Sequence, residues 1–360
     1  MGWALSIHQA DITDASIVEE APGALQAGQA RLAVRRFALT ANNITYAAFG
    51  EAMGYWRFFP GADGRGRLPV WGFAEVTESR AEGLAAGERV YGYLPAASGL
   101  VVTPGKIRPD SFVDAADHRT DLPAVYNRYE RCAAAHGYDP AREAVQMVLQ
   151  PLFLTAFLID AYLRDTASFG AERIILTSAS SKTALALAFL LRRDMPEGLR
   201  LEALTSARNT AFVAASGLYD AVIAYENIQD MDPAPARLIV DFAGSAEVNR
   251  ALHTRLGAHL KANIRVGGAH WDDSAPARDL PGPRPSFYFA PDHARERIAE
   301  WGPDGFAKRQ GAAWSHFVAA ADDLLAWRSL AGPRETLAAY QALVRGDVAA
   351  SDALVVEVEG

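Results

Sequence analysis

The stretch Arg173-Ile174-Ile175-Leu176-Thr177-Ser178-Ala179-Ser180-Ser181-Lys182-Thr183-Ala184-Leu185-Ala186-Leu187-Ala188-Phe189-Leu190-Leu191 decides how this chain is read. Its first half is a short, β-branched, apolar run of the kind buried in a parallel sheet. Its second half is rich in Ala and Leu, the composition of a packed helix. Small polar residues fill the turn between them. A strand entering a helix through such a turn aims backbone N–H groups and the positive end of the helix dipole into one crevice, which suits a phosphate. Nucleotide binding is the first functional expectation.

That turn holds no glycine, although the dinucleotide fingerprint places glycines there for tightness and close backbone approach. Ser178, Ala179, Ser180, Ser181 and Thr183 are the next smallest choices, and Lys182 adds a cation. Hydroxyls and an ammonium group would then hold a diphosphate in place of bare backbone. Lys182-Thr183 matches the end of a P-loop, but both glycines of that motif are missing. Neither Ser178 nor Ser181 has the Ser-x-x-Lys spacing to Lys182 of a serine/lysine hydrolase. A Ser-capped helix after a buried strand explains the same residues without a ligand.

A chain of 360 residues is comfortable for two domains. The net charge of -8, with Lys and Arg dispersed, argues against a nucleic-acid partner. No uninterrupted apolar run reaches the eighteen or so residues of a membrane helix, and Met1 to Ala10 lacks a signal-peptide layout. A cytoplasmic protein without membrane or nucleic-acid partners is expected. Cys132 is the single cysteine, which excludes an internal disulfide and a cysteine-built zinc site. The eight histidines form no His-x-x-x-His or His-Glu-x-x-His pair, so no metal site is expected; Asp272-Asp273 beside His270 is the nearest approach.

Along the first 150 residues, short apolar segments alternate with Gly/Pro turns: Arg31 to Leu39, Leu68 to Val76, and Gly87 to Tyr93. This texture predicts a small barrel-like β domain. Helical stretches follow at Arg142 to Leu149 and Leu152 to Leu163. After Arg173, apolar strands recur at Leu201 to Ser206, Asp220 to Tyr225, Leu238 to Phe242, Asn263 to Gly267 and Ser286 to Ala290. Strands alternating with crossovers predict a doubly wound parallel sheet. The last segment reads as helices at Phe306 to Leu330 and Glu335 to Val344, then a strand at Ala353 to Val358. The expected divisions are 1–150, 151–305 and 306–360.

In this order the chain resembles the medium-chain dehydrogenase/reductase superfamily. Leu68-Pro69-Val70-Trp71-Gly72-Phe73-Ala74-Glu75-Val76 resembles its proline-then-Gly-His-Glu strand, and Ala86-Gly87-Glu88-Arg89-Val90-Tyr91-Gly92 its Gly-Asp-Arg-Val-x-Gly turn. Phe153-Leu154-Thr155-Ala156-Phe157 resembles the Leu-Thr-Ala helix. Ser216 to Tyr225 resembles the Gly-Ala-Asp-x-Val-Ile stretch, and Val240-Asp241-Phe242-Ala243-Gly244 the Asp-x-x-Gly strand end. The resemblance implies an α/β fold in which a GroES-like β-barrel-type domain joins a doubly wound Rossmann domain, with the C-terminus returning to the first. Zinc alcohol dehydrogenases of that superfamily take a cysteine near Asn43 and a histidine near Phe73. Both ligands are missing, which implies a zinc-free branch similar to quinone oxidoreductases and enoyl reductases.

Hydride transfer to a conjugated carbonyl needs donors near the oxygen that gathers negative charge. Asn42, Asn43, Thr45 and Tyr46 stand where zinc-free relatives present polar side chains; a turn and helix cap explain them as well. Tyr55 falls near a Gly-x-Tyr stretch whose tyrosine is a proton donor in mitochondrial-type enoyl reductases, and its neighbours Trp56, Phe58 and Phe59 equally suit a core. Thr205-Ser206-Ala207-Arg208-Asn209 carries no carboxylate, and Ser206 with Arg208 suits the 2′-phosphate of NADP. Gly267 would let backbone approach a nicotinamide. The resemblance adds Tyr225 and Gly244 as cofactor contacts. The catalytic candidates are thus Asn43, Thr45, Tyr46 and Tyr55. The cofactor candidates are Ser178, Ser180, Ser181, Lys182, Thr183, Ser206, Arg208, Asn209, Tyr225, Gly244 and Gly267. The expected function is a zinc-independent, NADPH-dependent oxidoreductase reducing an activated C=C or C=O of a small hydrophobic substrate. A non-catalytic relative binding another ligand or a protein is the alternative; a lyase or isomerase is a third. The resemblance implies a homodimer, with Leu238 to Phe242 or the segment near Ser286 extending a sheet across a two-fold axis.

Overall fold

The computed structural model describes residues 2–21, 23–266, 279–321 and 323–358, apart from the side chain of residue 136. It divides into two units: Met1–Val148 with Ala326–Gly360, and Leu149–Leu325. The helix Glu143–Asp165 carries the chain across the first boundary, with Pro151 inside it, so the two helical stretches expected there are one.

Six parallel strands form the sheet of the second unit: β1 Arg173–Thr177, β2 Arg200–Thr205, β3 Ala221–Ala224, β4 Arg237–Asp241, β5 Leu260–Arg265 and β6 Ser286–Phe287. Their spatial order is β3-β2-β1-β4-β5-β6, the doubly wound Rossmann arrangement. Ile174, Ile175 and Leu176 are fully buried, as befits a strand covered on both faces. The buried Glu202 carboxylate accepts from Arg173 (2.8 Å) and Arg237 (2.8 Å), clamping β2 to β1 and β4. Strand order reverses between β1 and β4. Outside their carboxyl ends, such a sheet leaves the crevice in which ligands bind.

The first unit is barrel-like and antiparallel apart from one parallel pair near the C-terminus. Ala30–Leu39 pairs with Pro69–Ser79, which pairs with Arg89–Pro95. The returning strand Asp352–Glu357 closes onto Ala30–Leu39 with Leu354 opposite Leu39. Gly72 is required at its position, since a Cβ would lie 2.3 Å from the Arg36 carbonyl oxygen on the neighbouring strand. Glu143 is nearly fully buried and gathers Arg36 (3.2 Å), Arg89 and the Tyr138 hydroxyl (2.5 Å), fixing the start of its helix against two strands.

Three sequence expectations are corrected. Residues 306 to 330 are not one helix: the helix Ala290–Ala321, interrupted at Gly302, ends before a strand, Ala326–Ala331. That strand pairs in parallel with Asp352–Glu357, and ladder hydrogen bonds outweigh the helical preference of Ala and Leu. The boundary expected at 305/306 therefore falls inside a helix, and the change of unit comes at Leu325/Ala326. Finally, Leu238 to Phe242 cannot extend the sheet, because β4 is flanked by β1 and β5; β3 and β6 are the edges.

Among the described residues, Pro140–Asp165 is the stretch with the length and apolar composition of a membrane span. Its apolar side chains pack against protein: the Phe153 ring lies 5.3 Å from Phe317 and 5.2 Å from Trp314.

Candidate functional site

In the second unit the site begins where β1 runs out. Ser178 adopts a left-handed φ of +45°, the conformation that usually selects glycine, so here serine makes the turn that glycine was expected to make. The Ser178 N–H donates to the Tyr225 hydroxyl at 3.0 Å, and the two hydroxyls lie 3.4 Å apart. Burial raises the Tyr225 phenol above its usual range, so it stays neutral. Ser180 Oγ receives Asn209 Nδ2 (3.1 Å) and Thr205 Oγ1 (3.4 Å), tying the turn to the end of β2. Ser181 caps the helix Lys182–Arg193, its Oγ accepting the Ala184 N–H. Lys182 and Thr183 open that helix half-buried, where first-turn N–H groups lack intrahelical acceptors.

Sequence reasoning left out the clamp behind this turn. Thr177 Oγ1 donates to Asp241 Oδ1 (2.6 Å) and accepts the N–H groups of Phe242 (2.9 Å) and Ala243 (3.0 Å). The same Asp241 oxygen accepts the Gly244 N–H (3.1 Å), and its other oxygen accepts Asn249 Nδ2 (2.7 Å). Gly244 takes φ +68°. Thus Asp241, fully buried, joins the ends of β1 and β4 at the switch point. The Asp-x-x-Gly spacing was the available signal. Tyr219 adds a second support, its hydroxyl donating to the Ala179 carbonyl at 3.0 Å. Ser178, Ser180, Tyr225, Asn209 and Gly244 are therefore drawn together around the strand ends. Ser206 is half-buried and Arg208 exposed, in the segment after β2. Gly267, Gly268, His270, Trp271, Asp272 and Asp273 lie outside the described residues.

In the first unit an aromatic cluster holds two of the four catalytic candidates. Tyr46 and Tyr55 are buried with ring centroids 4.8 Å apart. The Trp71 indole N–H donates to the Tyr46 hydroxyl (3.1 Å), and the Tyr55 and Tyr126 hydroxyls lie 3.4 Å apart. Tyr93 stands 4.7 Å from Tyr126 and 5.3 Å from Tyr46, centroid to centroid. Burial pushes all four phenols up, so each remains a proton-bearing donor at neutral pH. The hydroxyls of Tyr91 and Tyr93 are buried with no partner among the described residues. Tyr126 and Trp71 are half-buried and form the cluster's outer edge. Beneath it, Arg119 donates to the Phe58 carbonyl (3.2 Å), pairs with Asp114 (3.2 Å) and lies over the Phe59 ring.

Asn43 does not join this cluster. Its Oδ1 accepts the Thr40 N–H (2.6 Å) and its Nδ2 donates to the Pro69 carbonyl (2.8 Å), which is the helix-cap reading. Thr45 is half-buried on the same helix, Ala41–Ala48. Trp71 and Tyr126 were missed because they arrive from a strand and a short 3-10 helix remote in sequence. The alternation Tyr91, Tyr93 on one strand face was the one legible signal. Among the described residues no three His, Cys, Asp or Glu side chains converge as metal ligands.

Solved structures share this fold across essentially the whole chain. The CurA protein of Vibrio vulnificus, in complex with NADPH, aligns with a TM-score of 0.61 at 10% identity, covering 98% of this chain and 97% of that one. The yhdH oxidoreductase of Salmonella enterica, in complex with NADP, aligns at 0.56 and 15%, covering 100% of both. The quinone oxidoreductase of Coxiella burnetii aligns at 0.57 and 13%, covering 99% of both. At such identities the likeness establishes the α/β fold, a GroES-like domain with a Rossmann domain. No curated protein sequence matches the chain. The profile of one family does match, over residues 37–349, and the chain belongs to that family, described as a protein of unknown function (DUF2855).

Proposed function

We propose that the chain is a zinc-independent, NADPH-dependent reductase of an activated C=C or C=O in a small apolar substrate. The observation that carries this reading is the left-handed Ser178 turn at the switch point of the sheet, whose N–H already holds a hydroxyl oxygen where a phosphate oxygen fits. The solved structures of the same fold described with NADPH or NADP support it. Ser178, Ser180, Ser181, Lys182 and Thr183 would hold the diphosphate, with Tyr225 and Gly244 beside it. Ser206, Arg208 and Asn209 would hold the 2′-phosphate, since no carboxylate lies between Thr205 and Thr210.

Bound NADPH would supply the hydride. The first unit holds neutral phenols, groups of the kind that donate hydrogen bonds or a proton to a developing oxyanion. Tyr46 suits the proton, because the Trp71 N–H already on its hydroxyl would stabilise the phenolate left behind. Asn43 and Phe73, at the positions of the superfamily's zinc ligands, support a reaction without zinc. The edge strand β6 is proposed to join a second copy: Phe287 is 67% exposed there and stacks on Phe289.

A fluorescence titration tests the reading, with micromolar NADPH affinity expected. Arg208→Ala should weaken NADPH at least tenfold more than NADH; equal weakening removes the 2′-phosphate assignment. A non-catalytic relative binding another ligand or a protein is the second reading, favoured because the turn at Ser178 to Thr183 holds no glycine. Absence of NADPH binding would decide for it.

A further inference from the structure

We propose that a groove at the opposite end of the Rossmann sheet binds a small organic ammonium ion with an apolar body. The groove, of about 600 Å³, lies at the amino ends of β1 and β2, bounded by residues 163–172 and 191–199. Small-molecule sites occupy roughly 300–1,000 Å³. The helix Lys182–Arg193 starts at the Ser178 turn and ends at this groove, about 18 Å away at 1.5 Å per residue. The proposal is thus independent of the nucleotide reading.

Three features define the ligand. The floor is apolar, formed by the buried Leu163, Leu191 and Leu199 with half-buried Met195. One wall is a left-handed turn: Ala167, Ser168 and Phe169 take φ of +46°, +48° and +54°, followed by Gly170 at +69°. Residues with a Cβ adopt such a run only when their surroundings impose it. This turn places Ser168 in the lining, 9% exposed, and its hydroxyl has no hydrogen-bond partner among the described residues.

The third feature is charge. Glu172, Asp194 and Glu197 line the groove against one cation, Arg164. That guanidinium is already used: it is bidentate to Asp160 (2.9 and 3.0 Å) and donates to the carbonyls of Asp194 and Leu190 (3.3 Å each). Among the described residues, Glu172 and Glu197 have no basic partner. An ammonium group brings three N–H donors and one positive charge, matching the Ser168 oxygen and two carboxylates that have no counter-charge, Glu172 accepting only the Ala236 N–H at 3.2 Å, while its alkyl body covers the leucine floor. A carboxylate ligand would meet like charge, and a neutral alcohol would leave the carboxylates unmatched.

Calorimetric titration of the full chain at pH 7 with hexylammonium chloride, 1-hexanol and sodium hexanoate tests this. The expected result is one saturable site for hexylammonium, at least tenfold tighter than for hexanol, and no binding of hexanoate. Glu172→Gln with Glu197→Gln should abolish that tenfold preference, and Ser168→Ala should weaken hexylammonium about threefold. Both glutamates are exposed, so the pair leaves the fold intact, checked by an unchanged Tm. Glu51→Gln with Glu82→Gln, a charge-matched pair in the other unit, should leave binding unchanged. Hexanol within threefold of hexylammonium, equal weakening by the control pair, or undiminished affinity in the Glu172/Glu197 variant overturns the proposal.

Discussion

The two units build their polar centres from opposite materials. In the Rossmann unit the centre is local and small: Thr177 to Ser181 lie consecutively between one strand and one helix, and a single buried carboxylate, Asp241, orients them. In the barrel-like unit it is dispersed and large: Tyr46, Tyr55, Trp71, Tyr93 and Tyr126 come from five separate segments and meet through their rings. A local centre depends on hydrogen bonds and backbone conformation, whereas a dispersed one depends on burial. They should therefore fail under different insults.

The largest expected effect is alkaline. Burial raises the phenols of Tyr46, Tyr55, Tyr91, Tyr93 and Tyr126 above the ~10 of an unfolded chain. The folded state then binds these protons more tightly than the unfolded state. The stability they contribute is complete below pH ~10 and declines as pH rises beyond it, by about 1.4 kcal/mol per pH unit for each phenol. The first unit should lose its structure cooperatively above pH ~10, with phenolate absorbance appearing in the same transition. Phenolate appearing near pH 10 with the fold intact would contradict the buried cluster. Among the described residues of the second unit, Tyr219, Tyr225 and Tyr288 are raised in this way, so its loss should be shallower.

The reciprocal insult is Asp241→Ala. It strips the acceptor from Thr177, Asn249 and the N–H groups of Ala243 and Gly244, all inside the protein. Urea unfolding should show a loss of about 3–5 kcal/mol in the Rossmann unit, with the first unit's transition unmoved. A loss below about 1 kcal/mol would mean that the turn does not depend on this clamp.

A smaller change sharpens the nucleotide reading. Tyr225→Phe leaves the Ser178 N–H without its acceptor and should cost about 1 kcal/mol in the free protein. Saturating NADPH should reduce that cost, because a phosphate oxygen would take the vacated place. An equal cost with and without NADPH would put the diphosphate elsewhere. The smallest effect is at Cys132, whose thiol is pushed up to about 12, chiefly by burial. Alkylation by iodoacetamide at pH 8 should be at least a hundredfold slower than for a free cysteine, whose pKa is about 8.5. Rapid modification would show the thiol to be far more open than its packing indicates.

What could be read in advance follows the same division. The strand–turn–helix at Arg173 to Leu191, the recurring buried strands and the returning strand at the C-terminus are contiguous patterns of apolar period and turn chemistry, so they survive as plain text. Ala326–Ala331 was misread because its composition suits a helix and only the partner strand Asp352–Glu357 makes it extended. Asn43 was left between two readings for a related reason. Its residue type suits a donor and a cap equally, and only the positions of Thr40 and Pro69 decide for the cap.

The sequence alone determined the strand–turn–helix at Arg173 to Leu191, the parallel sheet and the glycine-free turn, because backbone preference and hydrophobic period act within a few residues of each other. Only the tertiary structure decided that Ser178 accepts a left-handed backbone, that Tyr225 sits on its N–H, and that five aromatic segments share one core. Those outcomes depend on contacts between residues tens of positions apart, and no local property of the chain encodes which of the possible partners arrives.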